Sequence, residues 1–190
     1  AGGGPHMKIF NLSTGQEMFS SFMFDSQFRG GISVSISDAN GDNIPDIIVA
    51  AGPGGGPHVK ILDGISLKVI REFFAFDPSA RNGLNIFTGN FDNDSGDEIA
   101  VALGAGALPL VRIFDLATGT LKKEIQVFET EFTGGVKISG TDYNHDGRLD
   151  LLAGAGPGGA PRVKVFNNSD FAVIDDFFAS DPSLRNGVSF

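Results

Sequence analysis

The chain has 190 residues, of which 27 are glycine and 18 phenylalanine, with one tyrosine, no tryptophan and no cysteine. A formal charge of −9 argues against nucleic acid or membrane lipid as a partner, because binding phosphates takes clustered Lys and Arg, and it favours cations. Absent cysteine excludes a disulfide framework, a thiolate metal site and a thiol nucleophile, and no run approaches the roughly 18 apolar residues of a membrane-inserted helix.

Taken in chain order, the elements are strands that return every 52 residues. The opening turn Ala1-Gly-Gly-Gly-Pro5 lacks the charged and apolar regions of a signal peptide. The alternating strand HMKIF follows, then a hairpin into a segment bearing Phe19, Phe22 and Phe24. At Ile32–Ser37 a new alternating strand begins, and an acidic loop, the apolar strand IIVAAG, a glycine turn and Pro57 come after it. Next are HVKIL and a segment with Phe73, Phe74 and Phe76. The order repeats from residue 84 with IAVALG, Pro109, LVRIF, Val127 and Phe128, and from residue 136 with LLAGAG, Pro161, RVKVF, Phe177 and Phe178.

Period-two alternation is frequent and no window sustains a helical period, so the class is all-β. A four-stranded unit of this length cannot bury its faces alone and must stack on copies of itself, which predicts a β-propeller. A calcium-binding β-solenoid is the alternative, but its nine-residue repeat does not match glycines that recur at 52. The predicted divisions are the C-terminal half of a split blade at 1–31, blades at 32–83, 84–135 and 136–187, and the start of the split blade at 188–190. Such an arrangement predicts an excerpt of a longer propeller or a unit that associates head to tail with itself. Gly31, Gly83, Gly135 and Gly187 share one repeat position, where a turn of positive φ between blades is expected.

The loop after each first strand carries the most information. Loop one is Asp38-Ala-Asn40-Gly-Asp42-Asn-Ile44-Pro-Asp46, loop two is Asn90-Phe-Asp92-Asn-Asp94-Ser-Gly96-Asp-Glu98, and loop three is Asp142-Tyr-Asn144-His-Asp146-Gly-Arg148-Leu-Asp150. Oxygen-bearing side chains stand at positions 1, 3, 5 and 9 each time. Ca²⁺ takes six to eight oxygens, and a tight loop supplies them from alternate residues plus a backbone carbonyl at position 7, here Ile44, Gly96 and Arg148. An EF-hand is excluded, since position 12 of loop three is Ala153 and strands flank it. Asx-turns alone would explain one such loop. Three loops that each gather three carboxylates predict three Ca²⁺ per chain, which would move the formal charge from −9 to −3. Loop two is expected to be the weakest, with neutral Asn90 at position 1 and Ser95 where Gly147 eases a left-handed turn.

These loops, with the strand and Gly-Ala or Gly-Pro turn after them, resemble FG-GAP and VCBS repeats, the calcium-loop blades of the integrin α-subunit headpiece and of many bacterial surface and secreted proteins. The stretch 142–161 carries the match most fully, while Asn90, Ser95 and Leu108 depart from it. The resemblance implies a propeller, calcium, and extracellular or cell-surface work in adhesion, recognition or assembly toward a protein or glycan ligand. A carbohydrate-binding lectin and a non-catalytic appendage of a secreted hydrolase are the alternatives.

Other motifs point away from chemistry. Ala51-Gly-Pro-Gly-Gly-Gly-Pro57 is followed by a strand and has no G-K-[ST], so it reads as a packing turn. His6 and His58 share a repeat position that holds Leu110 and Arg162 elsewhere, which disfavours zinc. Lys8, Lys60, Arg112 and Lys164 read as a solvated or carboxylate-paired strand face. No G-x-S-x-G or H-E-x-x-H occurs, so the expected protein is not an enzyme.

Overall fold

The computed structural model describes residues 2–92, 94 and 96–190. Among the described residues, fourteen strands form three four-stranded antiparallel sheets and one two-stranded sheet. The pair is β1 (His6–Phe10) and β2 (Glu17–Phe22); the first blade is β3 (Ile32–Ser37), β4 (Asp46–Ala51), β5 (His58–Leu62) and β6 (Val69–Phe74). The second is β7 (Leu84–Gly89), β8 (Glu98–Leu103), β9 (Leu110–Asp115) and β10 (Leu121–Gln126); the third is β11 (Val136–Thr141), β12 (Asp150–Ala155), β13 (Arg162–Phe166) and β14 (Val173–Phe178).

Strands pair in chain order within each blade, and the register repeats: Ile32 faces Ala51, Leu84 faces Leu103, and Val136 faces Ala155. The first strands are innermost, with β7 against β3 and β11 against β7. The second strands are apolar runs because both of their faces are buried. In the second blade Ile99, Val101 and Phe114 pack toward Ile48, Val59 and Ile61 of the first, while Ala100, Val111 and Ile113 pack toward Val136, Ile138 and Leu151 of the third. Fully buried side chains of this size stabilise by about 1.5–3 kcal/mol each, so the cores lie between sheets and every blade needs its neighbours.

Blades join at the expected glycines. Gly31, Gly83, Gly135 and Gly187 have φ of 70°, 74°, 80° and 69°, a region costly to residues with a Cβ. Their carbonyls accept the next blade's turn: Gly52, Gly104 and Gly156 donate to Gly31, Gly83 and Gly135 at 3.0, 3.0 and 2.9 Å. Toward the axis, Ser33 Oγ donates to the Leu84 carbonyl and Asn85 Nδ2 to that of Val136, each at 2.9 Å.

The structure departs from expectation at three places. Strands β7 and β11 end at Gly89 and Thr141, one residue beyond the alternating stretches 84–88 and 136–140 expected from sequence. Phe76 and Phe128 lie beyond β6 and β10, in the links, yet both are buried. Residues 188–190 form no strand; the Val188 N–H donates to the Ala155 carbonyl at 2.8 Å.

Candidate metal centres

Because the first and second strands of each blade are joined by the acidic loops, all three loops lie at one end of the sheets. The outer hairpins after β5, β9 and β13 lie at that same end.

A common ladder of side-chain to backbone hydrogen bonds shapes the loops. Position 3 accepts from the N–H of position 5: Asn40 from Asp42, Asp92 from Asp94, and Asn144 from Asp146, each at 2.9 Å. Position 5 accepts from position 7: Asp42 from Ile44 at 2.8 Å, Asp94 from Gly96 at 2.8 Å, and Asp146 from Arg148 at 3.0 Å. Position 9 accepts from position 2: Asp46 from Ala39 at 3.0 Å, Glu98 from Phe91 at 2.8 Å, and Asp150 from Tyr143 at 3.1 Å. Positive φ occurs at positions 4 and 6, at Gly41 (81°) and Asn43 (64°) in loop one and at His145 (63°) and Gly147 (88°) in loop three. Position 4 is an addition to the sequence reading; Asn93 and Ser95, and with them the expected effect of Ser95, lie outside the described residues.

Position 1 separates loop two from the others. Asp38 accepts from Gly41, Asp42 and Asn43 at 2.8, 3.2 and 2.7 Å, and Asp142 accepts from Asp146 and Gly147, each at 3.0 Å. Although desolvation works against it, these N–H donors together hold the Asp38 carboxyl below its usual value. Asn90 does the reverse, its amide donating to the Asp94 carbonyl at 2.8 Å.

Position 9 is fully buried in all three blades, as Asp46, Glu98 and Asp150. Asp46 also accepts from Gly64 N–H at 2.8 Å, and Asp150 from Asn144 and Asn168 at 3.2 and 3.1 Å. Their hydrogen bonds are satisfied but their charge is not: among the described residues, no Lys, Arg or His comes within 4.0 Å of a carboxylate of loop one or loop three. Buried charges are paired or coordinate metals, and side-chain oxygens are the ligands a hard cation takes, but the three carboxylates of loop one, like those of loop three, do not all lie within 4.8 Å of one another.

Loop two has an internal cation that the sequence reading missed. Lys122 Nζ, from β10, lies 2.8 Å from Asp92, 2.6 Å from Asp94, 2.6 Å from Glu98 and 3.7 Å from Asp115. Burial disfavours its charge, but the hydrogen bonds it donates to the three loop carboxylates outweigh that and raise the Lys122 pKa. The hydrogen bond from Lys122 likewise holds Asp94 below its usual value. Among the described residues, only Asp92, Asp94 and Glu98 bring three carboxylates within 4.8 Å of one another. The signal available in sequence was the repeat position, which holds Ile70 and Ile174 in the other blades.

The outer hairpins add groups as well. Asn168 Nδ2 donates to both Asp146 oxygens at 3.1 Å, and Asn40 Nδ2 to Asp63 at 3.3 Å. Arg148 reaches from loop three to the Asp92 carbonyl at 3.2 Å.

His6 Nε2 pairs with Ser20 Oγ at 2.9 Å and His58 Nε2 lies 3.2 Å from a Glu72 carboxylate oxygen, but among the described residues neither joins a group of three such ligands; the rings stack on Phe22 and Phe74, with centroids 4.7 and 4.8 Å apart. Between the two-stranded sheet and the first blade, Phe24, Phe28, His58, Phe74, Asp25 and Arg81 line a recess of about 340 Å³.

No family model matches the chain. Its fold is similar to the Dos1 propeller, with a TM-score of 0.62 and 13% identity over 96% of this chain and 44% of that one. It is also similar to the computationally designed Ika8 protein, with a TM-score of 0.58 and 14% identity over 92% of this chain and 44% of that one. The chain thus spans less than half the length of either. The fold is a β-propeller of four-stranded blades.

Proposed function

We propose that this is a calcium-stabilised, non-catalytic propeller module of the FG-GAP and VCBS kind, working outside the cell in adhesion, recognition or assembly. The observation that supports it is the pair of buried position 9 carboxylates, Asp46 and Asp150, in oxygen-lined loops without a cationic partner among the described residues. In loop one, Asp38, Asn40, Asp42, Asp46 and the Ile44 carbonyl would hold the ion. In loop three, Asp142, Asn144, Asp146, Asp150 and the Arg148 carbonyl would do so. The ion would supply the missing counter-charge and fix the turn between the first two strands of the blade. Each bound ion stabilises the native state, because the unfolded chain has no preformed site. Millimolar extracellular calcium would keep sites of sensor or extracellular-module affinity filled. Calorimetric titration of the EDTA-treated chain tests this. Saturable calcium binding with a raised melting temperature is expected; no binding at millimolar calcium would overturn the reading.

A glycan-binding reading looks to the aromatic recess, where the rings of Phe24, His58 and Phe74 stand beside the charges of Asp25 and Arg81, with Phe74 stacked on His58 and Lys60 Nζ 5.2 Å from the centre of the Phe24 ring. A glycan array probed with the wild type and with Phe74→Ala tests it, and binding that survives the substitution places sugar elsewhere.

A further inference from the structure

We propose that Lys122 is the resident counter-ion of the second blade, closing loop two without a metal and leaving loops one and three as the calcium sites.

The geometry accounts for the whole ammonium group. A lysine has three N–H donors and no acceptor, and Lys122 meets three carboxylates, Asp92, Asp94 and Glu98, at 2.8, 2.6 and 2.6 Å. Those oxygens surround one point, and the ammonium occupies it. A divalent ion there would face a positive charge at close range, and only departure of the Lys122 side chain would relieve the repulsion.

Three substitutions act together to build this arrangement, and all lie in one blade. Position 9 is Glu98 where the other blades have Asp46 and Asp150. The shorter aspartates use their second oxygen to accept the outer hairpin's N–H, from Gly64 in the first blade and Asn168 in the third. In the second blade the corresponding N–H, of Leu116, donates instead to the Asp97 carbonyl at 3.1 Å. The added methylene of Glu98 carries its second oxygen out to Lys122, so the side chain of β10 replaces the hairpin N–H as the link between loop and outer strands. Lys122 itself stands where Ile70 and Ile174 lie 45% and 40% exposed. Asn90 replaces Asp38 and Asp142, removing a charge at position 1 and turning an N–H₂ group to the Asp94 carbonyl at 2.8 Å.

The consequence is a division of labour among blades. The second blade is packed on both faces, against the first and the third, and its loop is held whether or not calcium is present. Withdrawal of calcium then acts on loops one and three, around a middle blade that keeps its own counter-ion.

The stoichiometry rests on the calcium reading of loops one and three; the role of Lys122 does not. Calcium per chain is measured by plasma mass spectrometry after loading and desalting, and melting is followed in EDTA. The wild type should hold two ions, and Lys122→Met three, because Asp92, Asp94 and Glu98 already lie close enough to share one. The triple variant Asp142→Asn, Asp150→Glu, Ile174→Lys, which moves the arrangement into the third blade, should hold one. In EDTA, Lys122→Met should melt about 5–10 °C below the wild type, as an unneutralised buried Glu98 crowded by Asp92 and Asp94 requires, and calcium should restore it. Three ions in the wild type would overturn the proposal, as would a Lys122→Met chain unchanged in both ion count and EDTA melting. Should Lys122→Met fail to fold, the triple variant decides: one ion supports the proposal and two ions overturn it. A wild type with no calcium removes the reading of loops one and three, and the EDTA melt of Lys122→Met still decides the role of Lys122.

Discussion

Asp150→Asn separates the two tasks of a buried position 9 carboxylate, holding backbone and holding charge. Asp150 accepts three N–H groups, from Tyr143 and Asn144 on one oxygen and Asn168 on the other, at 3.1, 3.2 and 3.1 Å. An asparagine offers one oxygen and one NH₂, so either orientation sets a donor against at least one of these N–H groups. One buried donor left unpaired costs about 1–3 kcal/mol, taken here as about 2. The charge term has opposite signs in the two buffers: in EDTA the amide removes an unneutralised buried charge and so offsets part of that cost, whereas in calcium at a hundredfold excess over Kd a bound ion contributes about 2.7 kcal/mol, most of which is lost if affinity falls a hundredfold. The expected losses are at most about 2 kcal/mol in EDTA and up to about 4–5 kcal/mol in calcium. At roughly 2–4 °C per kcal/mol for a domain of this size, these limits are about 4–8 °C and about 8–20 °C. Differential scanning calorimetry of both chains in both buffers measures the difference. Equal shifts in calcium and EDTA would refute the reasoning, because Asp150 would then hold backbone alone.

Gly83→Ala and Gly31→Ala change the same repeat position in different surroundings. A Cβ on Gly83 would lie 2.4 Å from Pro53 N, whereas one on Gly31 would meet nothing within 4 Å. Gly31→Ala should cost about 1–2 kcal/mol of left-handed strain, and Gly83→Ala about 2–5 kcal/mol once overpacking is added; equal melting losses would contradict the close approach. Asp146→Ala should destabilise more than Asp94→Ala in calcium, a ranking that paired melting curves check. Arg162→Ala should cost about 1–2 kcal/mol, since Arg162 bridges Asp176 at 2.8 and 2.7 Å and Glu129 at 2.9 Å; urea titration at low and high salt should show the loss shrinking as salt rises. Hydrogen bonds from Ser66, Ser79 and Ser183 hold Asp63, Asp77 and Asp181 below the usual carboxylate value. Their contribution is therefore complete above the unfolded value of about 4 and is lost as pH falls through the lower folded values. Acid unfolding in EDTA should be centred below about pH 4 by circular dichroism, and complete unfolding above pH 5 would contradict it.

The frame of the protein was legible because each part of the repeat answers to one local physical demand. Prolines at a fixed spacing mark where third strands begin, and the shared glycines do have the positive φ expected between blades. Alternate oxygens in the loops do cap alternate N–H groups, since that reach is set by the backbone within nine residues. Phe76 and Phe128 escaped the strand boundaries because burial between blades, rather than strand pairing, holds them. Lys122 was illegible for a different reason. It lies 24 to 30 residues beyond its partners, and Leu121-Lys-Lys-Glu-Ile125 read alone is an ordinary exposed strand. Only the fold, which brings the outer strand's lysine over the loop, makes Asn90, Glu98 and Lys122 one cluster. In a repeat chain the shared positions specify the blade, so information about a single blade resides in what deviates from them. Deviations that answered only to surface drift would scatter around the blade. Here the methylene of Glu98, the amide of Asn90 and the ammonium of Lys122 act on one site, and each makes the others workable: without the lysine the buried glutamate is an unpaired charge, and without the glutamate the lysine loses the contact that links it to the loop's buried end.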